Sequence, residues 1–256
     1  MHLFDSRYPF ADSATLKHAD ASVADYRRLQ QRLGLERCVI VQPSSYGVDH
    51  RVLMAGLRAR GESARGVAVV TPEVGADDLE TLTAHGVVGA RFNLVQRGVT
   101  HESMVTAVAA QAARQGWHLQ FHLLPTDLLR LADELIALPV PVVLDHYGRA
   151  MTAPALAPAV QSRLEQLLAT GKVWLKLSAP YLAAVSAADF GSLQEFVERL
   201  TRRHADRLVW GTDWPHVTES EKPDDAFLLD EIWRWVPGTE TQLLVMVENA
   251  SNLYGF

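Results

Sequence analysis

The sequence has little cysteine, no long apolar run and no excess of positive charge, and each deficit removes a class of protein. One cysteine in 256 residues, Cys38, excludes an intrachain disulfide. It lies in the apolar run Cys38-Val39-Ile40-Val41 and reads as a small buried hydrophobe rather than a reactive thiol. No stretch approaches the roughly 20 apolar residues of a membrane span, and the opening residues lack the basic-then-apolar pattern of a secretory signal. The expected location is the cytoplasm, with no membrane partner. Lys and Arg number 24 against 30 Asp and Glu, a formal charge of −6. Phosphate backbones demand a concentrated basic surface, so no nucleic-acid partner is expected. No Gly-rich phosphate loop follows an early strand candidate, which argues against a nucleotide-binding fold. A small molecule is the partner these absences leave.

What is present is an alternation. Hydrophobic residues make up 48% of the chain, enough for one large core. Short valine-rich runs at 37–42, 66–70, 87–93, 118–122, 142–145, 173–177 and 208–211 read as strands. Between them, 23–33, 49–60, 76–85, 103–115, 126–138, 157–170 and 190–204 carry apolar residues three or four apart, the period of a helix packed on a sheet. Gly34, Gly61, Gly86, Gly116 and Gly171 stand where these helices should end. The acidic stretch 219–225 reads as a solvated loop. The predicted architecture is α/β: a single (β/α)₈ barrel of the TIM type over residues 1–256. Only Met1-His2-Leu3-Phe4 is present for its first strand. An open doubly wound sheet of seven strands is the alternative.

In a (β/α)₈ barrel the loops after the strands form the catalytic face, so the residue types delivered there matter more than their separation in sequence. The strand ends carry Gln42 and Tyr46; Arg91, Asn93 and Arg97; His122; Asp145, His146, Tyr147 and Arg149; Lys176, Ser178 and Tyr181; and Asp213, Trp214 and His216. Any one of these has a structural reading, such as a loop cap or an internal ion pair. Together they supply a base for water and a cation or donor for a carbonyl oxygen, the two needs of hydrolysis. Asp213, in Trp210-Gly211-Thr212-Asp213-Trp214-Pro215-His216, is the expected base, because flanking tryptophans and proline would partly desolvate it. His122 and His146 are suited to binding a metal or donating to an oxyanion. Arg91, Arg97 and Arg149 point to an anionic substrate. His18, His50, His85, His101 and His204 read as surface residues.

The ordered set Val41-Gln42-Pro43-Ser44, Gly89-Ala90-Arg91-Phe92-Asn93-Leu94, Gly116-Trp117-His118-Leu119-Gln120-Phe121-His122, Leu144-Asp145-His146-Tyr147-Gly148-Arg149, Val173-Trp174-Leu175-Lys176-Leu177-Ser178 and the 210–216 segment resembles the amidohydrolase superfamily. The resemblance lies with its branch of 2-pyrone-4,6-dicarboxylate lactonases and related lactone hydrolases. It runs through nearly the whole chain and implies that Asp213 deprotonates the attacking water. His122 and His146 would polarise the carbonyl directly or through a divalent ion, zinc or manganese, with His2, His122 and Asp213 as metal candidates. The resemblance equally allows a metal-independent enzyme. Arg91, Arg97, Arg149, Tyr147, Ser178, Tyr181 and His216 are the implied substrate contacts. The family's opening pattern is Asp-x-His-x-His followed by an apolar residue and Phe. Here His2 matches its second histidine, so the expectation is that an internal methionine was taken as the start or that the chain is truncated. Tyr181 stands where the pyrone dicarboxylate enzymes would have another arginine. The implied function is hydrolysis of a small anionic lactone by a monomer or homodimer. A decarboxylase of the same superfamily and a catalytically impaired binding protein are the alternatives.

Overall fold

The structure, a computed structural model, describes residues 1–96, 98–184, 186 and 190–256. Seven strands are found among them: β1 (Cys38–Val41), β2 (Ala64–Ala68), β3 (Val87–Asn93), β4 (His118–His122), β5 (Val142–Leu144), β6 (Val173–Leu177) and β7 (Leu208–Trp210). They follow one another in a seven-stranded sheet in the order β1-β2-β3-β4-β5-β6-β7. The register is parallel, with Cys38 opposite Ala64, Ala68 opposite Ala90, Val142 opposite Val173 and Leu177 opposite Trp210. Parallel neighbours need crossovers, and helices supply them: α1 (Val23–Leu33) precedes β1, and α2 (Arg51–Arg60), α3 (Ala76–Ala84), α4 (Val105–Gln115), α5 (Pro125–Ala137), α6 (Ala157–Ala169), α7 (Pro180–Ala183) and α8 (Phe190–His204) fall between the strands.

Each sequence-based strand is found within about two residues of its expected place. The largest offset is β2, which starts at Ala64 rather than Gly66. Gly66 is not a boundary but an interior residue whose bare Cα admits neighbours: a Cβ there would lie 2.9 Å from Leu57 Cδ1 and 3.1 Å from Val87 Cγ2. Ser22 opens α1 with a reciprocal capping box to Asp25, and Gly34 closes it in the left-handed conformation.

The contacts of the chain divide it into two compact units, residues 1–120 with 213–223 and 256, and residues 121–212 with 224–255. The first has a core of Leu3, Phe4, Ile40, Leu53, Val67, Phe92 and Trp117, and Cys38 is buried there as a free thiol. Its opening residues act as a strand without being one. The Met1 nitrogen donates to Val39 O (3.1 Å) and Val41 N donates to Met1 O (2.9 Å), while His2 N donates to Trp214 O (2.8 Å). Phe4 then makes an isolated antiparallel bridge with Ala21.

The second unit is built on Phe121, Leu128, Leu135, Leu164, Leu175, Phe196 and Trp235. Beyond β7, where sequence periodicity gave no element, α9 (Asp225–Trp235), α10 (Thr239–Leu243) and α11 (Asn249–Tyr254) follow, the last two joined by a π-helical turn. Asp224, at the end of the acidic stretch, caps α9 by accepting from Ala226 N (2.9 Å). No helix among the described residues is long and apolar enough to cross a membrane.

Asn249 ties this C-terminal segment to the start of β7. Its buried amide donates to Ala205 O and Leu208 O, both at 2.7 Å. Asn249→Ala leaves two carbonyls without that donor and is expected to destabilise the protein by about 2–4 kcal/mol. Urea denaturation is the measurement; a loss below about 0.5 kcal/mol would show that the tie is unimportant.

Candidate active site

In the first unit the polar residues gather where β1, β3 and the 213–216 segment end. Gln42 is wholly structural: Nε2 donates to Gly47 O (2.8 Å) and Asp49 O (3.2 Å), and Oε1 accepts from Val69 N (3.2 Å). It fixes the loop after β1 and leaves its own carbonyl to accept from Arg91 Nη1 at 3.1 Å. Arg91 is 5% exposed, a cation anchored at the end of β3. Asp213 and His216 both have left-handed backbones, φ 60° and 57°, around the cis Trp214–Pro215 bond. Trp214 packs on Tyr26 of α1, ring centroids 5.3 Å apart.

His2 is the residue that gives Asp213 a partner. Its Nδ1 lies 2.8 Å from Val41 O. A carbonyl can only accept, so Nδ1 carries the proton and Nε2 presents a lone pair. That Nε2 lies 3.7 Å from Asp213 Oδ1. The separation is too long for a direct hydrogen bond and suits two acceptors that share one donor. Burial is the main reason the His2 pKa falls from 6.5 to about 4; the contact with Asp213 opposes the shift and the charge of Arg91 adds to it. The imidazole is therefore neutral at neutral pH.

The second unit carries its own cluster after β4, β5 and β6. His122 and His146 meet edge to face with centroids 4.7 Å apart. Ser178 Oγ lies 3.0 Å from His146 Nδ1, and Arg149 Nη1 lies 3.1 Å from His122 Nε2. Asp145 and Lys176 form a buried ion pair at 2.8 Å. Removing one partner of such a pair typically costs about 3–5 kcal/mol, which gives these two residues a structural duty. Burial pushes the Arg149 guanidinium below its ordinary pKa. Tyr181 is half-buried on α7.

The expected substrate contacts divide on inspection. Ser178 is turned to His146, and Tyr147 is 2% exposed with its ring against Trp235. His216 is buried, its carbonyl accepting from Lys222 Nζ at 2.8 Å. Arg97 lies outside the described residues. Of the histidines read as surface groups, His18, His50 and His204 are half-buried; His18 stacks on Phe4 (5.1 Å) and the His50 ring meets Val69 O at 2.8 Å. Sequence reasoning missed the structural duty of Gln42 and the Asp145–Lys176 pair, because strand-end position alone does not tell a staple from a reagent.

The donors do not fit a resident metal. His2 and Asp213 offer two ligand atoms, but Arg91 puts a positive charge beside them. His122 Nε2 faces a guanidinium, which can only donate, so its lone pair is used. Among the described residues no group of three His, Cys, Asp or Glu side chains is arranged to hold a metal ion.

The amidohydrolase family model (Amidohydro_2) matches residues 1–256. The chain belongs to that family. The resemblance carried by the strand-end motifs is thereby borne out. This amidohydrolase is 33% identical over 271 residues to a 2-pyrone-4,6-dicarboxylate hydrolase of Comamonas testosteroni, covering 99% of this chain and 88% of the relative. A 4-sulfomuconolactone hydrolase of Rhizobium radiobacter is 27% identical over 263 residues, covering 100% and 88%. Among solved structures, a protein of Agrobacterium tumefaciens in its apo form superposes with a TM-score of 0.92 at 28% identity, covering 100% of this chain and 93% of that one.

The low pKa of His2 carries a stability consequence for this amidohydrolase. Between pH 6.5 and about 4 the unfolded chain binds a proton at His2 that the folded protein refuses. The contribution of His2 to stability is therefore full above 6.5, falls as pH drops towards about 4, and is level below that. His2→Gln is expected to remove this part of the acid slope in chemical denaturation, and equal slopes in variant and wild type would refute the neutral imidazole.

Proposed function

We propose that this amidohydrolase hydrolyses a small anionic lactone, with Asp213 as the base that activates water. One observation carries the reading: two acceptors, Asp213 Oδ1 and the His2 Nε2 lone pair, face each other across 3.7 Å beside the anchored cation Arg91. A water held there donates one hydrogen to each acceptor, which directs an oxygen lone pair outward. Asp213 takes a proton as that oxygen bonds to the lactone carbonyl carbon. The ring C–O bond of the tetrahedral intermediate then breaks, and the departing ring oxygen takes the proton back from Asp213. Within the second unit, His146 is held at Nδ1 by Ser178, and its Nε2 is a donor when the serine hydroxyl is the donor to Nδ1.

The anionic character of the substrate follows from the arginines. Among the described residues Arg149 has His122, and no carboxylate, as its side-chain partner. A half-buried guanidinium in that state favours an incoming carboxylate or sulfonate. The names of the two relatives, a pyrone dicarboxylate hydrolase and a sulfomuconolactone hydrolase, describe substrates of that kind. The ladder contacts of Met1 and His2 support a (β/α)₈ barrel with a short first strand as the form of the whole chain.

Turnover of a panel of lactones with and without acid substituents is the direct test. Asp213→Asn is expected to lower kcat by about 10²–10⁴-fold with KM little changed, and an unaffected rate removes Asp213 from the base role. Arg149→Gln is expected to raise KM for the acid-bearing lactones and leave neutral ones nearly unchanged; an equal effect on both would dismiss anion recognition. Among the described residues the donor set is incomplete for a metal, so chelator treatment is expected to leave the rate intact. A rate lost to the chelator and restored by zinc or manganese would contradict that.

A further inference from the structure

Four consecutive residues after β5 run with left-handed backbones: φ is 55° at His146, 55° at Tyr147, 60° at Gly148 and 53° at Arg149. One of the four is glycine. For the others this conformation costs about 1–2 kcal/mol each, so something must hold the turn. Two contacts do so. The Tyr147 ring is buried edge to face against Trp235 of α9, centroids 6.4 Å apart. On the next residue a Cβ would fall 2.8 Å from Leu164 Cδ2, so only glycine lets α6 approach this closely.

The turn delivers its two ends to one target. His146 meets the His122 ring at 4.7 Å, and Arg149, three residues on, donates to His122 Nε2 at 3.1 Å. Between these ends, Tyr147 is buried against Trp235. We propose that Tyr147 is a positioning residue: its buried ring locks the left-handed turn that aims His146 and Arg149 at His122, and it does not touch the substrate. The lock also sets a tautomer. Arg149 can only donate, so His122 accepts at Nε2 and carries its proton on Nδ1. The activity readout of this assignment rests on the lactone hydrolase reading, whereas the tautomer does not.

Tyr147→Phe and Tyr147→Leu are the test, with turnover and the imidazole ¹⁵N spectrum of His122 measured on each. The phenylalanine keeps the ring against Trp235, so a rate within about 3-fold of wild type and an unchanged spectrum are expected. The leucine loses the anchor, so kcat is expected to fall by about 10²-fold. The His122 signal should then move from the single Nδ1–H form to a mixture. Three results overturn the proposal: phenylalanine as damaging as leucine, which would make the hydroxyl the working group; leucine with wild-type turnover; or leucine with an unchanged His122 spectrum. If the leucine variant does not fold, Trp235→Phe weakens the same anchor from outside the polar cluster. It must shift the His122 signal and lower kcat in the same direction, and no change in either rejects the lock. A wild type inactive on every lactone would end the functional reading while the spectra still decide this one.

Discussion

The hydrogen bond from His2 Nδ1 to Val41 O, 2.8 Å long, is the contact on which the polar cluster of the first unit depends. It fixes which nitrogen of the ring has the proton, and that choice turns the other nitrogen into an acceptor facing Asp213. With the opposite tautomer Nε2 would be a donor and the pair would close on itself. The backbone of His2 is in turn held by Trp214 O, and that of the residue before it by Val39 and Val41 along one edge of β1. A segment too short to be a strand is thus held by strand-type hydrogen bonds, and the position of one imidazole depends on them.

Strain is concentrated just after the strands. The non-glycine residues with positive φ among those described are His146, Tyr147, Arg149, Ala179, Asp213 and His216, all following β5, β6 or β7. At about 1–2 kcal/mol each their combined cost rivals the net stability of a typical domain. Such a cost persists only where surrounding packing over-determines the conformation. The anchors are visible: Tyr147 on Trp235, and the His216 carbonyl accepting from Lys222. The reward is direction, since a left-handed residue turns its side chain to a side of the strand end that extended backbone cannot reach.

Much of the fold was legible because it is written in periodicity. Valine runs and three-four spacing placed β1 to β7, α1 to α6 and α8 with small offsets, since burial on both faces of a parallel sheet leaves an uninterrupted apolar signal. Three features were not legible. α9 to α11 follow an acidic stretch that looks like the end of structure, and only the cap at Asp224 reveals a beginning. Gln42 reads as a reagent by position and proves to be a staple, because hydrogen-bond partners in loops leave no pattern. Tyr147 sits in a motif of polar residues, and nothing in its neighbours shows that a left-handed turn carries it into the core while His146 and Arg149 remain at the polar cluster.

Position after a strand is a weak guide to where a side chain goes. Sequence arguments place a residue after a strand on the functional face by default, which assumes that the chain leaves the strand in an extended or right-handed path. Gly148 was the one available signal, yet a single glycine indicates a bend without giving its hand or length. The tyrosine and the two polar residues around it are one device: removing the buried ring releases the strain, and with it the direction of both neighbours. A residue with no reach to a substrate can therefore govern the rate as strongly as one that binds it, and burial against Trp235 rather than exposure marks it out.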